Sequence, residues 1–421
     1  MSKPEQPSCN DDFEVGAIRV EDAVLRILEK TTPVDGFQRL ALRDTLNRVL
    51  YRDLISPMNV PSRNNSAMDG YALASSSLPV AGNRSFRVAG AAYAGQPWRG
   101  RLGGDECIRI MTGAMMPPDT DTVVIQEQVT LFDDGRVEIG QGHRQHQNVR
   151  FAGEDIKQGN AVLAQGTRIG PAELGVMASL GINECEVYRR PRISFFSTGD
   201  ELRSLGETLR EGDIYDSNRY TLFGLLSRCE VDIIDMGVVR DDPDALRQAL
   251  LGAAANSDVV LTSGGVSVGE ADYIKDILHD IGAMDFWKIL MKPGRPLTSG
   301  RIGDALFFGL PGNPVAVMVT FLQFVMPCLT RLAGGEYRRP IAVPAISLGA
   351  IRKNPGRREF QRAIASTGDD GRLQVRLTGK QGSGILTSMS RANCFVVLPE
   401  EQGAVSVGDT VQVEFIDSYF R

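Results

Sequence analysis

RISFFSTGDEL, residues Arg192–Leu202, is the stretch on which the fold turns: an apolar run of strand length stops at a Thr-Gly turn and hands over to two acids. The pattern returns in DVVLTSGGVSVGEADY (Asp258–Tyr273) and ALFFGLPGNP (Ala305–Pro314), each a short apolar strand closed by a glycine-rich turn. Helical stretches lie between. Ser217–Leu226 reads as a helix, VDIIDMGVV (Val231–Val239) as a strand. Pro243–Ala254 carries a helical stripe of Leu246, Ala249, Leu250, Ala253 and Ala254, with Asp242 as N-cap and Pro243 at the first helical position. Such alternation predicts a largely parallel sheet with helices on both faces, where a ligand binds beyond the carboxyl ends of the strands.

Toward the N-terminus, Ala23, Val24, Ile27 and Leu28 recur at helical spacing within Val20–Glu29, and a second helix is expected over Leu42–Leu50. Residues 61–152 are rich in Gly, Pro and Ser and in short β-like runs (FRVAG, CIRIM, TVVIQEQVTLF, RVEIG), the signature of a small β-domain. It reads as an insertion, because Pro171–Leu180 is helical again. Beyond Tyr337 the runs AVPAISL, EFQRAIA, LQVRLT, CFVVLPE and TVQVEFI predict a C-terminal β-domain. The fold class is multidomain α/β plus β, with a central three-layer α/β domain. Its expected parts are a disordered tail (1–12), a discontinuous helical domain (13–60 and 153–190), the inserted β-domain (61–152), the α/β domain (191–337) and the β-domain (338–421).

A chain of 421 residues exceeds one ordinary core, which holds roughly 100 to 200 residues. With 23% charged residues and a formal net charge of -6 it has no global field for nucleic acid or an anionic membrane, so an anionic ligand needs a local site. Met1–Asp12 lacks the pattern of a signal peptide, and no apolar run is read as approaching the ~20 residues that span a bilayer. The six cysteines are scattered without metal spacing, which suits reduced thiols in a cytoplasm, and with three histidines a Ser-His-Asp mechanism is disfavoured.

Four loops carry the chemistry: STGDEL (Ser197–Leu202), TSGGVSVGEADY (Thr262–Tyr273), KILMKPGRP (Lys288–Pro296) and GLPGNP (Gly309–Pro314). Glycine pairs serve tight turns as well as phosphate nests, but all four loops fall at one end of one expected sheet. Asp200, Glu201, Asp241 and Asp272 supply hard oxygen donors suited to Mg²⁺ on a phosphate, although Asp272 also reads as a helix cap. Lys288, Lys292 and Arg295 offset the charge that develops as a phosphoanhydride breaks. A second polar cluster, PSRNNSAMDGYA (Pro61–Ala72) with IRIMTGAMMPPDTDTVV (Ile108–Val124), places Asp69 and Thr112 in a different domain and invites the idea of a shared cleft.

NNSAMDGYA, IRIMTGA, GEDI (Gly153–Ile156), STGDEL, IYDSN (Ile214–Asn218), RDDP, TSGGVSVGEADY, KPGRP and GLPGNP, in this order, resemble the molybdopterin molybdenumtransferase family, bacterial MoeA and the E domain of gephyrin. PGRREFQR (Pro355–Arg362) and QGSGILTSMSRANCFVVL (Gln381–Leu398) extend the likeness to nearly the whole chain. The resemblance implies an elongated homodimer of four-domain subunits, a molybdopterin-binding α/β domain, and insertion of molybdate into adenylylated molybdopterin with release of AMP. It implies functional roles for Asp69, Thr112, Asp155, Glu201, Asp241, Asp272, Lys288 and Lys292, with Glu201, Asp241 and Asp272 on Mg²⁺. Ligand contacts are implied at Ser197, Thr198, Gly199, Asp216, Ser217, Asn218, Ser263, Gly264, Gly265, Ser267, Gly269, Pro311, Gly312, Asn313 and Arg362. Departures are small: Arg295 stands where lysine is common, and Arg63-Asn64 where Phe-Asp is frequent.

The rival expectations are a molybdopterin adenylyltransferase-like enzyme and a non-catalytic molybdopterin-binding scaffold; the extra domains argue against the first, the intact acids and lysines against the second. Expected partners are a second copy of the chain, molybdopterin adenylyltransferase and molybdoenzyme-maturation proteins, with no nucleic acid or membrane. Sites are expected to combine the Asp69 and Thr112 loops of one subunit with the Asp272 and Lys292 loops of the other.

Overall fold

The computed structural model describes residues 16–264 and 273–420. The chain divides into two compact units: one contains the residues up to Gln38, Asn47–Tyr51 and everything from Glu186, and the other contains Arg39–Leu46 and Arg52–Cys185. The expected helical parts, 13–60 and 153–190, are thus distributed over both.

In the first unit the alternating pattern becomes a six-stranded sheet. In chain order its elements are β1 (Arg192–Thr198), α1 (Ser217–Leu226), β2 (Asp232–Val239), α2 (Pro243–Asn256), β3 (Val259–Ser263), α3 (Tyr273–Ile281), β4 (Gly282–Lys288), β5 (Pro296–Ile302), β6 (Ala305–Leu310) and the long helix α4 (Pro314–Leu332). The strand order is β2-β1-β3-β6-β5-β4; β2, β1, β3 and β6 are parallel, and β5 is antiparallel to both its neighbours. Strand alternation sends successive side chains to opposite faces. Phe195, Leu261 and Phe308 pack with Leu222, Leu226 and Val317 on the side of α1 and α4, while Phe196, Val260 and Phe307 pack with Leu246, Leu250, Ile274 and Leu278 on the side of α2 and α3. Each such buried side chain contributes ~1.5–3 kcal/mol, so two independent apolar layers hold the sheet between them.

Local capping agrees with the sequence. The Asp242 carboxylate accepts from the Ala245 N–H at 2.8 Å and Pro243 opens the helix. Asp242→Ala is expected to destabilise the protein by about 0.5–2 kcal/mol. The measurement is the urea-unfolding midpoint, and an unmoved midpoint would show that the cap contributes nothing.

Two expectations are corrected. Leu42–Leu50 is not a helix: a 3₁₀ turn, Leu42–Thr45, is all that forms, because Asn47 adopts a left-handed backbone (φ 66°) and Leu50 bridges to Val187. Asparagine tolerates that conformation, which stops helical propagation. The apolar-run reading also fails, since Pro314–Leu332 is 19 residues long and apolar enough to span a bilayer; 83% of it is buried inside the protein, against Val20, Val24 and Ile27 of the Val20–Glu29 helix among others. It is a core helix.

The C-terminal strands β7 (Ala342–Ser347), β8 (Arg358–Thr367), β9 (Leu373–Leu377), β10 (Cys394–Leu398) and β11 (Thr410–Phe415) close into a barrel: β8 pairs with β9 and β10, β7 with β9 and β11, and β10 with β11. Met291–Lys292, from the loop between β4 and β5, adds to β8 in parallel.

In the second unit the expected β-rich region forms a six-stranded sheet that includes Gly70–Leu73, Asn83–Ala92, Glu106–Ile110 and Thr122–Ile125. The helix Pro171–Ser179 follows it in the chain.

Candidate active site

The strand ends of the α/β sheet are stitched together by side chains. At the end of β1 the Thr198 hydroxyl donates to the Asp241 carboxylate beyond β2, and the Asp241 N–H approaches Asp200 Oδ1 at 3.4 Å. Glu201 folds back over Gly199, where an added Cβ would lie 2.7 Å from its carboxylate. Glu201 and Asp241 are both exposed to solvent.

At the start of α1, Asp216 is buried and its Oδ1 caps the helix by accepting from the Arg219 N–H at 3.1 Å. Asn218 donates its amide to Ser263 Oγ at 2.8 Å and to the Gly312 carbonyl at 2.7 Å, joining the ends of α1, β3 and β6. Ser217, Gly312 and Asn313 are exposed around this junction and Pro311 is buried. Gly264 closes β3 with φ +93°, its N–H donating to the Leu310 carbonyl at 3.2 Å.

Among the described residues, several buried polar atoms here have no partner: Ser197 Oγ, Asp216 Oδ2, Asn218 Oδ1 and Thr262 Oγ1. Buried polar groups are ordinarily satisfied, so a group of orphans at one edge of a sheet marks a surface shaped for something polar. Thr262 opens the TSGGVSVGEADY motif but is absent from the implied ligand contacts; a hydroxyl near the end of a buried, otherwise apolar strand is the signal.

The lysine loop opens at the same end of the sheet, because β4 runs parallel to β6 with β5 between them. Lys288 and Lys292 are exposed there and Arg295 is partly buried. Arg362, on β8, is almost wholly buried; its guanidinium donates to Ser388 Oγ at 3.0 Å and the Gly382 carbonyl at 3.0 Å. Burial pulls its pKa down to about 10. Among the described residues no carboxylate pairs with it, and the adjoining loop touches α4, where Val315 N–H donates to the Ser383 carbonyl at 3.0 Å.

Gly265, Ser267, Gly269 and Asp272 lie outside the described residues. Among those described, no group of three or more acids, histidines or cysteines is arranged to hold a metal alone.

The remaining candidates fold in the other unit. Asp69 accepts from both the N–H and the hydroxyl of Thr112, each at 2.7 Å, and these bonds hold its pKa below the usual carboxylate range. The Asp155 N–H donates to the Val60 carbonyl at 3.1 Å, leaving its carboxylate exposed. Thr112→Val, which deletes one of the two bonds, is expected to move the Asp69 titration upward. Carbon-13 NMR of the carboxyl carbon reads this directly, and an unchanged midpoint would remove the hydroxyl from the account. Because the folded pKa is depressed, any stability from this pair is present above the ordinary aspartate range and lost as pH falls through the depressed value.

Three family models cover the chain: MoeA N-terminal region (domain I and II) over residues 18–181, probable molybdopterin binding domain over 194–331, and MoeA C-terminal region (domain IV) over 344–416. The chain belongs to the MoeA family of molybdopterin molybdenumtransferases. It is 42% identical to the molybdopterin molybdenumtransferase of Haemophilus influenzae over 94% of this chain and 98% of that protein. It is 32% identical to gephyrin of Dictyostelium discoideum over 94% of this chain and 62% of that protein. Among solved structures it is similar to the molybdopterin biosynthesis moeA protein of Pyrococcus horikoshii, with a TM-score of 0.81 and 26% identity over 95% of this chain and 100% of that one.

Proposed function

We propose that the protein inserts molybdenum into adenylylated molybdopterin, hydrolysing the phosphoanhydride and releasing AMP. The observation that carries this reading is the row of orphaned buried acceptors and hydroxyls at the carboxyl edge of the sheet, beside the N-termini of α1 and α4. Helix N-termini favour anionic phosphates, and the free Asp216 Oδ2 suits the N–H donors of a pterin. Lys288 and Lys292 supply positive charge for molybdate, which enters as a substrate, and Arg362 holds a buried positive charge that an anionic ligand can pair.

Mg²⁺ fits this donor set in kind. It is typically bound by one or two carboxylates together with substrate phosphates and water, so the exposed Glu201 and Asp241 suit it in kind without a closed protein cage. When bound, it would neutralise charge on the phosphoanhydride. The chain's own part is positional: Thr198 orients Asp241, Asn218 fixes the β3 and β6 turns, and the glycine turns let backbone N–H groups approach phosphate. Burial holds Cys107, Cys328 and Cys394 as thiols, which favours the ligand's own dithiolene sulfurs as ligands for the metal. Cys107 and Cys328 are buried and pushed up to about 12, where no thiolate forms near neutral pH.

We also infer a Mg²⁺-dependent homodimer of cytoplasmic location. Sedimentation equilibrium tests the dimer, which a monomeric mass would exclude. The decisive assay incubates the protein with adenylylated molybdopterin, Mg²⁺ and molybdate. AMP and metal-loaded cofactor should appear together, and failure to form metal-loaded cofactor would overturn the reading.

A further inference from the structure

We propose that Glu359 is a positioning residue for Lys292: a buried carboxylate from the C-terminal barrel that fixes the ammonium of the lysine loop. The proposal rests on the reading above, in which Lys292 recruits molybdate, and adds the group that holds it in place.

The backbone sets the pair. Met291 and Lys292 run parallel to Arg358 and Glu359 of β8, and Arg358 N–H donates to the Leu290 carbonyl at 2.9 Å, so Lys292 and Glu359 stand in partner register. The Glu359 side chain is 10% exposed, whereas the Lys292 side chain is 55% exposed. Its Oε1 lies 3.4 Å from Lys292 Nζ, and its Oε2 accepts from Gln361 Nε2 at 2.6 Å. Glu359 and Gln361 share a strand face, so the amide locks the carboxylate from the side while the lysine meets its other oxygen. Gln361 is itself buried and reaches the Arg352 carbonyl at 3.4 Å.

A buried carboxylate is costly unless paired and hydrogen-bonded. Here the second cation is Lys353, also buried, whose ammonium donates to the carbonyls of Gln402 at 2.8 Å and of Asn354 and Glu400 at 3.3 Å. Burial lowers the proton affinity of Lys353, and the charge of Glu359 opposes that shift. Among the described residues Glu359 is the one acid paired with Lys292. The arrangement is a buried, hydrogen-bonded acceptor facing a solvated donor from the lysine loop, the form a positioning contact takes.

Two effects of the carboxylate oppose each other: its charge weakens attraction for an anion, and its anchoring favours the productive position. The carboxylate's charge is already offset by Lys292 and Lys353, whereas its geometry is fixed by Gln361, so anchoring is the larger expected effect. Glu359→Ala is therefore expected to raise the molybdate concentration for half-maximal AMP release by about threefold to tenfold, with the maximal rate nearly unchanged. Glu359→Asp, which keeps the charge and is the safer variant for folding, should move it in the same direction through lost reach.

The test is a double-mutant cycle on the full-length protein with Lys292→Ala. The expected result is that either Glu359 variant adds nothing once Lys292 is gone. An unchanged or lower molybdate requirement in both Glu359 variants overturns the proposal, as does an equal increase in both lysine backgrounds, which would mean a general structural role. If Lys292→Ala leaves the molybdate dependence untouched, the recruitment reading falls and the positioning role falls with it. If Lys292→Ala raises it and the Glu359 variants do not, the positioning role alone is lost.

Discussion

Asp241→Ala is expected to lower AMP release by roughly 10²-fold or more, the scale on which removing one preorganised electrostatic group acts, while leaving a cooperatively folded protein. Asp241 follows the edge strand β2, is exposed, and packs into no core. Its structural contact is the hydroxyl of Thr198, which is buried and would be left without that acceptor. Such a loss costs about 1–3 kcal/mol, too little to unfold a protein with two apolar layers around this sheet. Asp241→Asn separates the two roles, since asparagine can still accept from Thr198 but carries no charge. If charge on a phosphate-bound cation is what matters, both variants fall together. An Asn variant with wild-type turnover would reduce Asp241 to a hydrogen-bond acceptor and remove it from the metal set.

The second large effect is expected at Gly264. Its φ of +93° lies where side chains other than glycine are strained, and an added Cβ would sit 2.6 Å from the carbonyl oxygen of Thr198, a backbone atom that cannot swing aside. Gly264→Ala must therefore displace either the β3 turn or the β1 end, the two segments that frame the orphaned hydroxyls. Strain of this kind is worth about 1–3 kcal/mol; turnover should fall much further, because ligand alignment tolerates displacements of well under an ångström. Gly312→Ala is the comparison. Among the described residues nothing lies within 4 Å of a Cβ there and its backbone needs no glycine, so the melting temperature should stay at the wild-type value. A Gly264→Ala protein with wild-type melting and wild-type AMP release would contradict the turn geometry.

The α/β domain was legible because its information is local. Apolar runs, Asp242-Pro243 at a helix start and glycines at strand ends each sit within a few residues of the feature they specify, and β1, α1, α2 and β6 appear where they were read. Leu42–Leu50 misled because its leucines keep a helical spacing, while Asn47 and a bridge to Val187, 137 residues after Leu50, decide the conformation. The same distance problem hid Glu359. In RREFQR it looks like one charge among several; its meaning appears when β8 meets a loop 67 residues earlier in the chain. Arg362 was found by resemblance alone, since no periodicity announces an arginine buried without a carboxylate.

The long apolar helix α4 has a consequence for synthesis of the chain. Among the described residues it is the most apolar helix by length and composition, and it follows β1, β3, β6 and the Val20–Glu29 helix, which share its core cluster. Domains fold largely as units in the order in which they are made. Many of the packing partners of this segment are therefore made before it, and the barrel residues Phe360, Phe395 and Tyr419 join the same cluster later. The order of elements along the chain thus places many of the packing partners of its most lipid-like segment ahead of it.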